Sequence, residues 1–584
     1  MDKGILGSDV HDDLDGLNMS TSSRFSVHRK IETSPEVAVH GQVATKEHVV
    51  DLILDLVGYC PDQPLSSFRL LDPGCGEGAF VVEAARRLIG TASCLADVDS
   101  LASCLLGIEK DQEAVEVCRS RVSQVLIESG VQRLSACRIA RKWIVCEDFL
   151  RLPLTQRFRF VVGNPPYVRQ EAIPKDDLLH YRQTFECFYD RADLYVAFFE
   201  KSLHLLDSQG VLGFICPDRF TRNNYGRKLR RMITSEYSVK SVLDLTQASP
   251  FSPEVTCYPG IFIIGKESHH GVDYFRLTQA APSECKIVQE ASLDQRKVER
   301  PESAVVYHHY EKWFSGEQQW TTESPAHLAI LRRLEKDNVP LDTVASGCRV
   351  GIGVATGADK VFIVRPGEIE IEPELLMPLA MTDDIASGEV NWTGRCVINP
   401  FKSVGLIDLA KYPKARRYFE KHEGALKARN VANRTESSQR TSWYRTIDRI
   451  YPALQRTTKL LIPDIKADNL IVLERGKLYP HHNLYYVASE AWDLAALRTI
   501  LRSSVARFFV WMYGVKMRGN FLRFQAQYLR CICIPLRIKI GAAMIAELSG
   551  VPATATTDEV DRVVSRLYEL SDDELELIRD IASG

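Results

Sequence analysis

The sequence predicts an α/β protein with a doubly wound, mostly parallel sheet, followed by a second, irregular α+β domain. Between residues 40 and 217, short apolar stretches alternate with stretches whose apolar residues recur at helical spacing, as in β-α-β units. After about residue 300 this alternation ends and the strand-like pieces become irregular. The chain has 584 residues, more than one hydrophobic core usually serves, so two or three domains are expected.

Each element of the alternating region follows from its own stretch of sequence. Apolar residues at helical spacing predict a helix in "GQVATKEHVVDLILDLV", and "FRLLDPGCGEGAF" predicts a strand, a glycine-rich turn and a helix start. Further strands are predicted in "CLLGIEKD", "KWIVCEDFL", "RFVVGNPPY" and "GVLGFICP". The helices "QEAVEVCRSRVSQVLIESG" and "ADLYVAFFEKSLHLL" lie between them. Parallel strands of this kind end at one common edge of the sheet.

The second half contains strand-like pieces such as "KVFIV" and "LIVLERGKLYPHHNLYYVA" and ends in two helices. Each of these helices begins with a capping box, Thr556 with Glu559 and Ser571 with Glu574. We therefore predict four regions along the chain. They are a disordered tail over 1–30, the α/β domain over 31–300, the irregular domain over 301–545 and C-terminal helices over 546–584.

Composition excludes several classes of protein. A hydrophobic content of 45% and a charged content of 26% are ordinary for a globular protein, and the net charge of -3 means that nucleic acid could bind only at a local basic face. No apolar run approaches the ~20 residues that span a bilayer, and the N-terminus lacks a signal peptide. The fifteen cysteines form no zinc-knuckle pairs. We expect a soluble, cytoplasmic protein without a membrane partner.

Acidic residues recur where the first three strands end. Asp72 begins a D-P-G-C-G-E-G turn whose glycines let backbone amides approach a ligand. Glu109 ends the second strand, where a carboxylate can hold both hydroxyls of a ribose. Asp148 and Phe149 end the third, an acceptor for an adenine amine beside a ring that can stack on it. One such acid is usually a solvated strand end, but three in succession predict an adenosyl ligand. The predicted ligand residues are Asp72, Gly74, Gly76, Glu109, Asp148 and Phe149.

The fourth strand ends in "GNPPY", which contains Asn164, Pro165, Pro166 and Tyr167. Two adjacent prolines cannot continue a strand or a helix, so the chain leaves the sheet in one fixed conformation. Taken alone, the stretch is as well explained by a turn that happens to hold a polar residue. Its position beside the three acids favours a site for chemistry.

Together these motifs resemble the gamma class of adenine-N6 DNA methyltransferases of restriction–modification systems, in the N-6 DNA methylase family. That class has the same order along the chain: a helix with a cofactor-binding threonine, here Thr45, then the glycine turn, the acid, Asp-Phe, N-P-P-Y and a target-recognition domain. "GVLGFICPDRFTRNNYGRKLRR" and "GIGVATGADKVFIV" match as well. Lys46 stands where the family often has proline. The resemblance implies a Rossmann-like, S-adenosylmethionine-dependent methyltransferase sheet.

The resemblance also implies a mechanism, in which a methyl group passes from S-adenosylmethionine to the N6 amine of a flipped-out adenine. The Asn164 carboxamide oxygen and the Pro165 carbonyl would accept hydrogen bonds from the amine, and Pro166 would fix the direction of that carbonyl. Tyr167 would stack on the flipped base. This chemistry requires no metal.

The partner that the resemblance implies is double-stranded DNA, bound by a monomer; whether a separate cognate restriction endonuclease accompanies it stays open. Tyr258 or Phe251 would help to hold the flipped base, although core packing is the ordinary role of such residues. The basic stretch from Lys411 to Arg449 predicts phosphate contacts, although a solvated helical face is the ordinary role of such a stretch. Its candidate contacts are Arg416, Arg417, Arg429, Arg434 and Arg440.

Other functions stay open from sequence. N-P-P-Y also occurs in enzymes that methylate a protein glutamine or an RNA base, but those chains are typically shorter and lack a large C-terminal domain. Cytosine-N4 methyltransferases usually carry serine or threonine in place of Asn164. A catalytically idle DNA-specificity subunit is opposed by the intact Asp72, Asp148 and Asn164. The short N-terminal tail argues against a fused nuclease.

Overall fold

The fold is known from a computed structural model of the protein. The structure describes residues 44–91, 101–252, 258–293, 305–402, 405–429, 443–464, 470–514 and 524–583. The predicted tail over residues 1–30 lies outside these ranges, as do Arg434 and Arg440. Within these ranges, no helix has both the length and the apolar character needed to cross a membrane.

The first half of the chain forms the predicted α/β domain. Its strands are β1 (Ala44–Thr45), β2 (Leu70–Asp72), β3 (Leu105–Glu109), β4 (Ile144–Cys146), β5 (Phe158–Gly163), β6 (Leu206–Pro217), β7 (Ser238–Asp244), β8 (Phe251–Ser252), β9 (Pro259–Gly265), β10 (Val272–Leu277) and β11 (Val305–Tyr310). Its helices are α1 (Glu47–Val57), α2 (Ala79–Thr91), α3 (Gln112–Glu128), α4 (Arg133–Trp143), α5 (Lys175–Thr184), α6 (Tyr195–His204), α7 (Arg227–Glu236) and α8 (Pro282–Leu293).

Nine of these strands form one sheet in the order β11-β10-β7-β9-β6-β5-β2-β3-β4. Strand β9 runs antiparallel to both of its neighbours and β11 runs antiparallel to β10, while the other pairs are parallel. The prediction of a mostly parallel, doubly wound sheet is confirmed. The strand order reverses between β2 and β5, so a crevice opens at the carboxyl ends of these two strands.

Helices cover both faces of the sheet. Side chains alternate along each strand, so Leu71 and Val161 join the core that contains α6 and α7. Leu70 and Phe160, their neighbours in sequence, join the core that contains α1 and α2. Burial on both faces explains why these strands read as continuous apolar runs.

The sheet extends beyond the boundary that the sequence predicted at residue 300. Strand β11 pairs antiparallel with β10 along its whole length, from Val305 to Tyr310. These residues complete the edge of the nine-stranded sheet rather than opening the next domain. The predicted limit therefore falls short of this edge strand, because nothing in local composition distinguishes an edge strand from the first strand of a new domain.

The second half is more irregular, as predicted. Its strands are β12 (Val339–Pro340), β13 (Cys348–Ile352), β14 (Ile363–Val364), β15 (Leu376–Ala380), β16 (Cys396–Ile398), β17 (Phe401–Lys402), β18 (Gly405–Leu406), β19 (Thr458–Pro463), β20 (Val472–Arg475), β21 (Tyr479–Pro480), β22 (Leu484–Ser489) and β23 (Cys533–Ile534). Its helices are α9 (Pro325–Asp337), α10 (Asp359–Phe362), α11 (Pro413–Lys421), α12 (Glu423–Lys427), α13 (Pro452–Arg456), α14 (Leu494–Arg502), α15 (Ser504–Tyr513), α16 (Ala526–Leu529), α17 (Ala542–Gly550), α18 (Thr557–Leu567) and α19 (Asp572–Ser583).

Two four-stranded sheets organise this half, β13-β22-β19-β20 and β14-β16-β15-β21. On the first sheet, Leu460 and Val487 join the core that continues from the α/β domain and also contains α15. The residues next to them, Leu461 and Tyr486, face a separate core with the second sheet and α11. The second half therefore has a helical part continuous with the α/β domain and a distal part with a core of its own.

Two local predictions in this half have different outcomes. Both capping boxes are confirmed: Thr556 and Glu559 exchange backbone-to-side-chain bonds at α18, and Ser571 and Glu574 do so before α19. The strand predicted in "KVFIV" is wrong over most of its length. The amide of Val361 donates to the carbonyl of Ala358 and closes the short helix α10, and only β14 is extended.

Candidate active site

The predicted motifs converge at the carboxyl edge of the sheet. Asp72 ends β2, Glu109 ends β3, Asp148 lies two residues beyond β4, and Asn164 follows β5 directly. A cavity of about 390 Å³ opens at this edge. The predicted residues that line it are Gly74, Glu109, Asp148, Phe149, Asn164 and Pro166. The lining does not include the other predicted residues, Thr45, Asp72, Gly76, Pro165 and Tyr167.

The glycine turn is bound to Glu109 by its backbone. The Gly76 amide donates to Glu109 Oε2 at 3.0 Å, and the amides of Lys110 and Asp111 donate to Oε1 at 2.7 and 2.9 Å. Gly76 and Gly78 both have positive φ, +51° and +96°, and a Cβ at Gly78 would lie 2.7 Å from Cys118 Sγ. The turn therefore requires glycine, and the carboxylate of Glu109 is held in a fixed orientation at the cavity wall.

Asp72 is a buried carboxyl group, only 1% exposed. Its Oδ1 accepts a hydrogen bond from the Gly74 amide at 3.4 Å, and its buried Oδ2 has no partner among the described residues. Burial raises the pKa of Asp72 well above its usual range; the Gly74 amide opposes this shift and the charge of Glu109 adds to it. A buried acceptor of this kind suits a ligand that brings a cation or an N–H donor.

Asp148 is held by residues that the sequence did not reveal. Its Oδ1 accepts from the Leu150 amide at 2.9 Å, while Oδ2 accepts from the Tyr181 hydroxyl at 2.7 Å and from Lys110 Nζ at 3.3 Å. Burial, with the charge of Asp148, raises the pKa of Tyr181, so the hydroxyl keeps its proton. Tyr181 belongs to α5, which covers this side of the cavity. The local sequence of α5 carries no signal for this contact.

Phe149 forms a buried wall of the cavity, 2% exposed. Its ring packs against Phe198 with 5.1 Å between centroids. Lys201 Nζ lies 4.9 Å from the same ring and donates to the carbonyls of Phe149 and Leu152 at 2.5 and 2.6 Å. Burial lowers the pKa of Lys201 to about 8, against the opposing charge of Asp148. These contacts hold Phe149 in place.

Asn164 is joined to Thr45 across the sheet edge. Its Nδ2 donates to Thr45 Oγ1 at 3.3 Å, and Thr45 is paired with Phe251 in the β1–β8 ladder. Lys46, which departs from the family pattern, uses its backbone N–H to donate to the Pro250 carbonyl at 3.0 Å. Proline has no N–H, so at this position it could not make that bond.

The aromatic candidates differ in their surroundings. Tyr167 is half-buried, its hydroxyl donates to the Ile215 carbonyl at 3.4 Å, and its ring centroid lies 6.2 Å from that of Phe251. Phe251 is 1% exposed and belongs to the core, the ordinary role that sequence analysis kept beside its functional one. Tyr258 is half-buried and its carbonyl accepts from the Asp218 amide at 3.0 Å. Contact of Tyr258 with DNA stays a prediction.

The described arginines of the basic stretch fall into two kinds. Arg416 and Arg417 are exposed on α11, with Arg416 Nε 2.8 Å from Glu420. Arg429 is half-buried, and burial lowers its pKa. It makes four hydrogen bonds of 2.9 to 3.0 Å, to the carbonyls of Leu426, Thr356, Trp443 and Arg445. These bonds give Arg429 a structural role that the sequence did not reveal, and its phosphate contact stays a prediction.

Comparison with known proteins identifies the kind of protein that carries this site. A family model described as Eco57I restriction-modification methylase matches residues 103–251, which include Glu109, Asp148 and Asn164. The chain is 43% identical to the type II methyltransferase M.BstVI of Geobacillus stearothermophilus, over 94% of this chain and 99% of that one. It is 41% identical to the type II methyltransferase M.PaeR7I of Pseudomonas aeruginosa, over 93% and 94% of the two chains.

A third relative and one solved structure also match more than nine-tenths of this chain. The chain is 39% identical to the type II methyltransferase M.XhoI of Xanthomonas vasicola, over 93% of this chain and 99% of that one. The type IIL restriction-modification enzyme MmeI, solved in complex with DNA, superimposes with a TM-score of 0.57 at 13% identity. That superposition covers 92% of this chain and 77% of MmeI, so the likeness of fold extends over both halves.

Proposed function

Because the chain belongs to the type II DNA methyltransferases of restriction–modification systems, with an Eco57I-type methylase region, we propose that it methylates the N6 amine of adenine within a specific DNA sequence. The methyl donor in this proposal is S-adenosylmethionine. The observation that carries the proposal is the position of Asn164, which lines the same cavity as Glu109 and Asp148. A carboxamide beside a cofactor cavity suits an amine as methyl acceptor.

The residues of the cavity fit an adenosyl ligand with a methionine arm. Glu109 offers carboxylate oxygens for a ribose, and Asp148 offers an acceptor beside the ring of Phe149. The unpartnered Oδ2 of Asp72 suits a cationic group brought next to the glycine turn. Burial raises the pKa of Asp72, and a cationic group beside it would favour the ionised carboxylate.

The residues of the N-P-P-Y stretch would then activate the amine. When bound, S-adenosylmethionine supplies an electrophilic methyl group on its sulfonium. An exocyclic adenine amine is a poor nucleophile because its lone pair is delocalised into the ring. Asn164 Oδ1 and the Pro165 carbonyl accept its two hydrogens and stabilise the positive charge that builds on nitrogen in the transition state. Pro166 restricts the preceding backbone, so the Pro165 carbonyl is oriented before substrate arrives.

The substrate base must leave the duplex to reach this cavity. Tyr167 is half-buried beside Asn164 and offers a ring on which the flipped base can stack. The irregular half of the chain, which begins after β11, would read the DNA sequence. Exposed arginines such as Arg416 and Arg417 would hold the phosphates.

Substitution of Asn164 tests the proposal. We expect Asn164→Ala to fold and to bind S-adenosylmethionine, because Glu109 and Asp148 in the cavity lining are unchanged. Loss of one transition-state acceptor should lower the rate about a hundred- to a thousandfold, roughly 2.7–4 kcal/mol by analogy with an oxyanion-hole donor. Transfer of labelled methyl to duplex DNA measures the rate, and calorimetry measures cofactor affinity. Asn224→Ala, an exposed asparagine outside the cavity lining, is the matched control.

The methylated products show which substrate and which base the protein methylates. Digestion of the methylated DNA to nucleosides should release N6-methyl-2′-deoxyadenosine and no N4-methyl-2′-deoxycytidine. Methyl transfer by Asn164→Ala at the wild-type rate would contradict the role of the carboxamide. Methylation of a protein glutamine or of RNA in place of DNA would keep the chemistry and overturn the substrate.

A further inference from the structure

A second group of chemically active side chains lies in the distal part of the second half. Asp359 is the first residue of α10, and His481 and His482 form the link between β21 and β22. One ring nitrogen of each histidine and one carboxylate oxygen of Asp359 lie within 4.8 Å of one another. Asp359 and His481 are 122 positions apart, so nothing in the sequence indicates that their side chains are neighbours. The adjacent pair in "YPHHN" was the only local signal.

The three side chains face each other closely. Asp359 Oδ2 lies 3.2 Å from His481 Nε2, and the centroids of the two imidazole rings are 4.0 Å apart at 58°. The side chain of His481 is 2% exposed and that of Asp359 is 45% exposed. The group is therefore buried at His481, half-buried at His482 and open to solvent at the carboxylate of Asp359, where water can reach it.

Both histidines bury a ring nitrogen without a partner. The Nδ1 atoms of His481 and His482 have no hydrogen bond to any described residue. A neutral imidazole carries a proton on one ring nitrogen and a lone pair on the other, so each histidine can offer one nitrogen to an ion. Buried polar atoms in native proteins are nearly always satisfied, so two such nitrogens side by side point to a missing partner. A neutral imidazole nitrogen is among the commonest metal ligands.

The backbone around the group is already fixed. The Thr356 hydroxyl donates to Asp359 Oδ1. The His481 amide donates to the Ala380 carbonyl at 3.0 Å, and the His482 amide donates to the Val354 carbonyl at 3.0 Å. Bonds of this kind orient metal-binding side chains before the ion arrives and tune their affinity.

We propose that Asp359, His481 and His482 bind a divalent transition metal ion, with Zn²⁺ as the ion that suits them best. Two imidazoles and one carboxylate leave a fourth tetrahedral position, which water can fill from the exposed side. Ca²⁺ and Mg²⁺ prefer oxygen ligands, so two nitrogens argue against them. The ion would link the first turn of α10 to the connection between β21 and β22. It would stabilise the distal part, and methyl transfer needs no step through it.

Metal titration of the full-length protein tests this site. The protein is stripped with chelator and dialysed, and ZnCl₂ is added in a calorimeter. We expect saturable binding of one equivalent, and a rise in Tm with zinc because the ion binds the folded state. Asp359→Asn and His482→Gln should each weaken binding by at least about tenfold, the smallest effect usual even for groups that only support a ligand. Asp359 is largely exposed, so its variant should fold even if a histidine variant does not.

The chain offers a matched control and an internal competitor. His269 and His270 form a second adjacent pair, exposed in the α/β domain, and the double change His269→Gln/His270→Gln should leave zinc binding and the Tm rise intact. Cysteine thiolates also bind zinc, so Co²⁺ is added in a parallel experiment, where binding without a thiolate charge-transfer band is expected. The proposal is overturned if wild-type protein shows no saturable binding, if Asp359→Asn binds as tightly as wild type, or if the thiolate band appears.

Discussion

Asn164 and Thr45 are 119 positions apart in the chain, yet a hydrogen bond of 3.3 Å joins their side chains. The bond turns the nitrogen of the carboxamide toward Thr45, so the oxygen is directed to the other side of the group. The threonine, which the family resemblance assigns to the cofactor, thus also orients the residue proposed to accept the amine hydrogens.

The acids at the strand ends could be predicted because each follows an apolar stretch that predicts a strand. Asp72, Glu109 and Asp148 need only the rule that parallel strands end at one edge. Tyr181 could not be predicted in the same way. It reaches Asp148 across 33 positions, from a helix whose own sequence indicates no function. Contacts of this kind depend on how α5 packs, which local sequence does not determine.

At the residue scale we predict pH-dependent cofactor binding through Asp72. The pKa of Asp72 is raised in the protein by burial, and a cationic cofactor beside it would lower that pKa. Binding must then release a proton at pH values between the lower pKa of the complex and the raised pKa of the unbound protein. Affinity should therefore rise with pH across that window and level off above it. Calorimetry in two buffers of different ionisation enthalpy measures the proton release.

Two variants test whether the released proton comes from Asp72. Asp72→Asn should abolish the proton release and flatten the affinity profile. Asp177→Asn is the control, because Asp177 also lines the cavity but Arg151 and Lys110 lower its pKa despite burial, so it is already ionised across the window. An unchanged pH profile in Asp72→Asn would remove Asp72 from the cationic end of the ligand.

At the element scale, the turn between β2 and α2 shows why glycine is required at particular positions of a motif. The sequence predicted Gly74 and Gly76 as ligand residues from their place at a strand end, and the structure adds a packing reason for Gly78. A Cβ at Gly78 would meet Cys118 Sγ of α3 at 2.7 Å, whereas one at Gly76 would meet nothing within 4 Å. At Gly76, glycine is therefore required only by the positive φ of the backbone. At Gly78, it is required both by the positive φ and by the lack of space for a Cβ. The strand predicted in "KVFIV" failed for the opposite reason, since a few apolar residues suit a helical turn as well as a strand.

Alanine substitutions along this turn should separate the two constraints. Gly78→Ala should destabilise the protein more than Gly76→Ala, since it adds a clash with Cys118 to the strain of positive φ. Both should weaken S-adenosylmethionine binding. Gly90→Ala, at an exposed site in α2 where a Cβ meets nothing within 4 Å, should be neutral or stabilise by up to about 1 kcal/mol. Thermal unfolding and calorimetry rank the three, and equal effects of Gly76→Ala and Gly78→Ala would exclude the packing reason.

At the scale of the whole molecule, one core connects the catalytic half with the C-terminal helices. Leu71 of β2, Phe199 of α6, Leu328 of α9 and Phe508 of α15 belong to the same buried cluster. The distal part, with α10 and α11, packs around a core of its own. The sequence predicted two halves correctly in kind, but this shared core involves contacts hundreds of positions apart. Such contacts leave no local pattern in the sequence, so the domain boundary predicted at residue 300 could not take them into account.

This arrangement leads to a prediction for DNA binding by the distal part. If Arg416 and Arg417, exposed on α11, contact phosphates, the affinity for duplex DNA should fall steeply with salt. The double change Arg416→Ala/Arg417→Ala should flatten the plot of log affinity against log salt by about 0.9 for each lost contact, because fewer counterions are released. Cofactor affinity should stay unchanged, since α11 contributes no residue to the cavity lining. Arg86→Ala/Arg141→Ala removes the same charge from exposed positions of the α/β domain and should leave the slope unaltered. If the two double variants give the same slope, the net charge of the protein controls binding and α11 is an ordinary solvated helix.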